Sequence, residues 1–368
     1  MALQDIGKQH LFEGLSCSSI IALLADPHFN IFQKHNKFFK HMEDMMSAFA
    51  ELCIKEKAEL IVLPGDMFDT KSSVNTDGLI RVNRMVDELS RIAPMIIIPG
   101  NHDLAFFNQA EISLPENYKY YERVVVITEP MILKITGGHD LIFVPFSNTI
   151  SSVLEEIKTE INPKHKTDLF SHFGVTTFKV HDYSSIAINN AAAQITIQSL
   201  SAFNQVFLGH YHGYQTARNV TYVSSPLQSR HGDEASQHGF VIYNLKTKTH
   251  MFHENTVTPK FVTYELNKAT VKEMLALHDH YIRIRVTKKV PKELLISLRQ
   301  KLMVNNFEVK IIMDIPDVMK LSTIKGWNEI VFNDDETLIT NYLKKLEDEN
   351  KLPHSKAKLL EHLEINLK

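Results

Sequence analysis

The sequence predicts a layered α/β domain over residues 19–255, a smaller α+β module over 256–318 and a helical tail over 319–368. Three observations carry this. From Ser19 to about Leu245, short apolar runs alternate with amphipathic stretches, as strands and helices do when short connections join them. A separate strand-helix-strand alternation follows between His280 and Ile315. Past Asp317 the strand-like runs stop and charged amphipathic stretches take over.

Residues 1–18 are mixed and polar, without a period, and read as an extension with no assignable role. Five apolar runs read as buried strands: Ser19–Ala25, Leu60–Pro64, Met95–Pro99, Asp168–Phe170 and Gln205–Leu208. Helical spacing of Phe39, Met42, Met45, Met46, Phe49, Leu52 and Cys53 predicts a helix over 38–57. Met85, Leu89 and Ile92 mark a second helix, and Val153–Ile161 a third. Arg123–Pro145, broken at Thr136–Asp140, and Val220–Tyr243 read as antiparallel, so a mixed sheet or two packed sheets is expected. In the smaller module, His280–Thr287 and Phe307–Ile315 alternate as strands around a helix at Pro291–Leu302, with Leu294, Leu295, Leu298 and Leu302 on one side. In the tail, Asp335–Leu346 and Ser355–Leu367 are helix candidates, separated at Pro353.

A chain of 368 residues suggests two or three domains, and 44% hydrophobic with 23% charged residues is an ordinary globular balance. No apolar run approaches the ~20 residues a bilayer span needs, and the N-terminus lacks a secretory pattern. Cys17 and Cys53 alone cannot build a disulfide framework, which fits a reducing compartment such as the cytoplasm of a bacterial or phage-infected cell. The formal charge of -3 excludes a protein that is basic all over but not nucleic-acid binding, because a metal site neutralises phosphate locally.

The 19 histidines are many for this length. Several sit in short loop clusters after the apolar runs: Asp26-Pro27-His28, Gly65-Asp66, Gly100-Asn101-His102-Asp103, Ser171-His172 and Gly209-His210-Tyr211-His212. Strand ends of an α/β sheet are where ligand sites assemble. The clusters offer oxygen and imidazole donors and no thiolate, which suits two divalent ions such as manganese better than a structural zinc. Asp66, on a tight turn, is the candidate bridging carboxylate between them. Asp26 and His28 are two apart, as are His210 and His212, so each pair is expected to point to one side of an extended segment. His102, flanked by Asn101, is placed to face a phosphate as a proton donor, with Asp69 orienting its other ring nitrogen. Met42, Met45 and Met46 read as core, and His35, His41, His181, His231 and His238 as surface or supporting groups.

The order Asp-x-His, Gly-Asp-x-x-Asp, Gly-Asn-His-Asp, His, Gly-His-x-His resembles the calcineurin-like metallophosphoesterase superfamily across most of 19–245. The resemblance implies a four-layer α/β/β/α sandwich. It further implies one metal held by Asp26, His28, Asp66 and His212, a second by Asp66, Asn101, His172 and His210, and leaving-group assistance by His102. Some relatives carry His at the position of Asp69. More narrowly, Gly65-Asp66-Met67-Phe68-Asp69, and Tyr222–Leu227 followed by Gly239-Phe240, are similar to the nuclease subunits of SbcCD-type double-strand-break repair complexes and their T-even phage relatives. The module at 280–315 resembles their DNA-capping domain. That likeness implies a DNA exonuclease and endonuclease using two manganese ions, with magnesium or iron tolerated. It also implies an SMC-like coiled-coil ATPase bound by the tail, a homodimer through helices near 38–57 or 78–92, and no membrane partner.

Lys164, Lys166, Arg218, Arg230 and Lys288 are the candidate contacts to a DNA backbone, although solvated surface charge is the ordinary reading of any one of them. The same metal ligands would serve a small-molecule (cyclic nucleotide) phosphodiesterase or a phosphoprotein phosphatase. Those activities would leave 256–368 unexplained. A catalytically dead scaffold is disfavoured because every expected ligand is present.

Overall fold

A computed structural model describes residues 3–29, 36–69, 74–106, 109–176, 178, 195–288 and 290–314, the side chains of 36–39 and 268 excepted. The chain divides into two compact units, Met1–Lys260 and Phe261–Lys368. The tail helices expected within 319–368, together with His35 and His181, lie outside the described residues.

The elements of the first unit are, in order, β1 (Gln4–Asp5), β2 (Ile20–Leu23), α1 (Asn36–Lys55), β3 (Leu60–Pro64), α2 (Thr76–Ile92), β4 (Met95–Ile98), β5 (Val124–Val126), β6 (Met131–Ile135) and β7 (His139–Val144). They continue with α3 (Ile150–Glu160), β8 (Lys166–His172), β9 (Gln205–Gly209), β10 (Gln215–Ala217), β11 (Val220–Tyr222), β12 (Gly239–Asn244) and β13 (Thr249–Glu254). One sheet runs β1-β6-β7-β8-β9-β11-β10 and the other β13-β12-β2-β3-β4-β5. The strands near the middle are parallel, β2–β3–β4 in one sheet and β7–β8–β9 in the other. Parallel strands buried on both faces read as unbroken apolar runs, as in Leu60–Pro64 and Met95–Ile98.

Two packed sheets make the sandwich. Leu23, Val62 and Ile96 from one sheet meet Leu141, Phe143, Phe170 and Phe207 from the other in a single buried cluster. Val241 of β12 joins that cluster, whereas its neighbour Phe240 faces outward onto Phe49 of α1, with ring centroids 5.1 Å apart. On the outer face of the other sheet, Ile150, Leu154 and Ile157 of α3 pack on Ile142 and Leu169. The layers are therefore α/β/β/α. Asp168, fully buried, ties the two sheets together, accepting from Tyr243 Oη (2.7 Å), Asn204 Nδ2 (2.7 Å) and Gln205 N (3.0 Å), with His139 Nε2 at 2.7 Å.

The structure departs from the sequence reading in four places. The stretch 123–145 does not form one antiparallel unit: β6 and β7 pair as a hairpin, but β5 lies in the other sheet, parallel to β4. Likewise β11 runs parallel to β9, and only β10–β11 and β12–β13 are antiparallel hairpins. The polar extension is structural: β1 pairs with β6, and Ile6, Phe12 and Leu15 enter the inter-sheet core. Lys8 Nζ donates to the carbonyls of Lys119, Tyr121 and Val124 at 2.9, 2.6 and 2.8 Å. Finally, His41, His231 and His238 are buried rather than on the surface.

In the second unit, β14 (Phe261–Glu265), α4 (Lys268–Leu275), β15 (Tyr281–Val286), α5 (Lys292–Met303) and β16 (Glu308–Met313) form a three-stranded parallel sheet. The sequence reading missed β14 and α4, whose apolar positions are few and interrupted by Lys268 and Lys272. Leu295, Leu298 and Leu302 of α5 are buried against Ile282, Ile284 and Val309, but Leu294 is exposed. Among the described residues no helix is long and apolar enough to cross a membrane.

Candidate metal centre

Five loops leave the C-terminal ends of β2, β3, β4, β8 and β9, and they converge because β3 lies against β8 and β9 across the sandwich. The backbone there is unusual. Asp26 (φ 49°), His28 (φ 44°), Asp66 (φ 47°) and His210 (φ 95°) all adopt left-handed conformations that L-residues disfavour. Neither histidine pair therefore sits on an extended segment as expected, and left-handed kinks aim these side chains instead of strand alternation. Gly65, at φ +94°, packs directly on the His172 ring, and a Cβ there would overlap it.

His28, Asp26 and His212 form one donor group, and Asp66, His172 and His210 a second, with the donor atoms of each group within 4.8 Å of one another. Nε2 of His28 lies 3.0 Å from Nε2 of His212. Asp66 stands between the groups, its Oδ2 3.2 Å from His172 Nε2 and 3.8 Å from His28 Nε2. Its Oδ1 accepts the backbone N–H of His102 at 2.8 Å. Oδ1 of Asn101 is 3.1 Å from His172 Nε2 and 3.0 Å from His210 Nδ1. All seven expected ligands thus share one pocket. The two members of the Gly-His-x-His pair divide between the groups rather than pointing together.

Supporting bonds hold these donors in place. Nδ1 of His172 donates to the Pro64 carbonyl at 3.1 Å, which leaves Nε2 as the inward-facing nitrogen. Asp26 accepts the His210 N–H on both oxygens, at 2.9 and 3.1 Å. Asp103, fully buried, accepts from Gly100 N (2.9 Å), Phe68 N (2.9 Å) and Met67 N (3.2 Å), locking the β3 and β4 loops together. The sequence reading gave Asp103 no role. The signal was available, because a carboxylate closing a Gly-Asn-His-Asp turn readily accepts backbone N–H groups.

A third group joins His28 to Asp69 and His102. Here the expectation needs correcting. Nδ1 of His102 meets the backbone carbonyl of Asp69 at 2.7 Å, and the Asp69 carboxylate lies instead 3.9 Å from His28 Nδ1. Because a carbonyl can only accept, Nδ1 of His102 carries a proton and Nε2 faces outward from this contact.

Burial lowers His28 and His210 to about 3 and His212 to about 4, so all three imidazoles are neutral donors. Burial, only partly opposed by His172, pushes Asp26 up to about 8. Burial alone would raise Asp66, but its charge and hydrogen-bond interaction with His172 holds it well below the usual carboxylate range. The reciprocal interaction outweighs burial at His172 and raises it to about 9.

The donor set fits divalent cations. Lone pairs of buried, neutral imidazoles converge with carboxylate and amide oxygens, and Nδ1 of His28 and of His212 are buried without a hydrogen-bond partner. Such a cluster is costly until a cation or proton enters it.

The basic residues are less concentrated. Lys164 and Lys166 stand at the start of β8, some six residues or ~20 Å from His172 at its other end. Arg218 precedes β11 at the matching far end, since Val220 pairs with Val206. Lys288 belongs to the second unit. Arg230 alone of the five is in a loop bonded to a site residue: Ser225 N, in the same loop, donates to the His212 carbonyl at 2.9 Å.

Fold and donor set together define a metallophosphoesterase. Residues 20–214 match the calcineurin-like phosphoesterase family, and the chain belongs to it. Its relatives include SbcD, the nuclease component of SbcCD in Staphylococcus epidermidis, 22% identical, with 92% of this chain and 96% of that protein covered. Exonuclease subunit 1 of Enterobacteria phage T4 is 24% identical over 62% of this chain and 66% of its own length. An uncharacterized protein of Acanthamoeba polyphaga mimivirus is 21% identical over 88% of this chain, which spans only 24% of that protein. Members of the family use a dinuclear metal site, and the His and Asp groups above are this chain's counterpart.

Proposed function

We propose that this protein is a manganese-dependent DNA nuclease, the phosphodiesterase subunit of an SbcCD-type repair and recombination complex. The observation that carries the reading is the position of Asp66 Oδ2, facing His172 at 3.2 Å and His28 at 3.8 Å, so that one carboxylate serves both donor groups. In this reading Asp26, His28, Asp66 and His212 hold one ion, and Asp66, Asn101, His172 and His210 the other. Two bound ions supply an activated water and neutralise the phosphoryl oxygens. His102 delivers a proton from Nε2 to the leaving oxygen, its ring fixed by the Asp69 carbonyl. The second unit caps the DNA, the tail grips a coiled-coil ATPase, and two copies pair through α1 and α2 in the cytoplasm. The match to a nuclease component along 92% of the chain supports DNA as substrate.

The test is hydrolysis, with manganese, of linear duplexes with defined ends, a cyclic nucleotide, an aryl phosphodiester and a phosphoprotein, with and without a candidate ATPase. Duplex degradation that the ATPase stimulates is expected. Turnover of the small diester or the phosphoprotein, with duplexes untouched under both conditions, would rule the nuclease reading out.

A further inference from the structure

We infer that Arg230 grips the phosphate next to the scissile one and so makes the site favour a polyanionic strand over an isolated phosphodiester. This rests on the nuclease reading above and specifies how that site recognises its substrate.

The loop carrying Arg230 is built onto His212 by successive hydrogen bonds. Ser225 N donates to the His212 carbonyl at 2.9 Å. Ser225 Oγ lies 2.9 Å from His238 Nδ1, and His238 Nε2 donates to the Asp233 carbonyl at 3.2 Å. Asp233 is the knot. Its Oδ2 accepts from Ser229 N, Ser229 Oγ and Arg230 N at 2.8, 3.0 and 3.2 Å, and its carbonyl also accepts from Gln228 Nε2 at 3.3 Å. Its Oδ1 lies 3.5 Å from Arg230 Nε, and the Asp233 side chain is only 3% exposed while that of Arg230 is 54% exposed.

A buried carboxylate thus anchors one edge of a guanidinium whose remainder reaches solvent beside the metal cage. The closeness is felt electrically: after burial, which dominates, Arg230 is among the charges that oppose protonation of His212. Arginine suits this task because its planar fork binds phosphate oxygens bidentately. The metal ions would neutralise the scissile phosphate, leaving the arginine for its neighbour. Such a contact is indifferent to base sequence.

The experiment measures kcat/KM on single-stranded oligonucleotides of increasing length, with an aryl phosphodiester as the single-phosphate member, for wild type, Arg230→Gln and Arg230→Lys. Metal content and thermal midpoint are recorded for each variant. Wild-type kcat/KM should climb as flanking phosphates are added, and Arg230→Gln should lose about tenfold of that climb. The slope of log KM against log salt should fall by about one phosphate's worth in Arg230→Gln. Arg230→Lys should keep the salt slope and recover part of the climb. An equal proportional loss on the single diester and the long strands would overturn the inference, because Arg230 would then act on the metal cage. An unchanged climb and salt slope in Arg230→Gln would overturn it as well, with the nuclease reading intact. Wild-type cleavage of the diester without gain at any length would instead remove the nuclease reading and this inference together.

Discussion

The ring of His102 is held by the main chain of Asp69, Nδ1 to carbonyl oxygen at 2.7 Å, and not by that residue's carboxylate. The distinction matters for mutagenesis. His102→Asn removes the proton donor while leaving every metal donor in place, so two ions should still bind while turnover falls by ~10²-fold or more. Asp69→Asn keeps the carbonyl and therefore the ring orientation, and its loss should be the smaller. Metal titration beside steady-state kinetics separates the two, and the reverse ranking would make the carboxylate the working group.

Asp66 and His212 should differ in what their loss removes. Asp66 faces both donor groups, whereas His212 lies in the group with Asp26 and His28. Asp66→Ala is expected to abolish binding of both ions and His212→Ala of one. Each affinity should fall by at least the ~100-fold that losing even an outer partner can cost. Elemental analysis of the purified variants gives the count directly, and one ion retained by Asp66→Ala would contradict the bridging role.

Metal binding should expel a proton from His172. In the metal-free fold its value is raised from the ordinary ~6.5 to about 9 through Asp66, despite burial. The sign follows. The charged pair adds stability that is fully present below pH ~6.5 and is lost as pH rises through about 9. A cation needs the same Nε2 bare, so near neutral pH binding must displace the proton, and above about 9 it need not. Calorimetry in buffers of different ionisation enthalpy should show proton release that shrinks toward pH ~10. Release that does not depend on pH would exclude His172 as its source.

Lys8 supports the fold far from the cage. Its ammonium donates to three carbonyls of the 119–124 segment, partly exposed, so the bonds are discounted for competition with water. Lys8→Met should cost about 1–2 kcal/mol and lower the melting temperature by roughly 2–4 °C, with metal content unchanged. A shift within experimental scatter would show that water replaces the bonds at no cost.

The sandwich and the seven donors were legible because buried parallel strands such as Leu60–Pro64 announce themselves by unbroken apolarity, and the donors follow them immediately. Sheet membership was less visible. Val124–Val126 and Met131–Ile135 look alike as sequence, yet they enter different sheets, which only long-range pairing decides. The 1–18 segment misled because Ile6, Phe12 and Leu15 are too widely spaced to set a period, although each finds a place in the core. The positive φ of Asp26, His28 and His210 was equally hidden, since glycine is the residue that usually signals it. The basic contacts were the least legible, because a lysine at the far end of β8 and an arginine beside His212 look the same in a list of charges.

The donors do not come from one leaf of the sandwich. Asp26, His28, Asp66 and Asn101 follow strands of one sheet, while His172, His210 and His212 follow strands of its partner. A cation seated among them would act as a rivet through both leaves. Its grip would then add to the cohesion of the whole sandwich in proportion to the logarithm of free ion concentration, so that the supply of metal governs how long the fold endures as well as how fast it works.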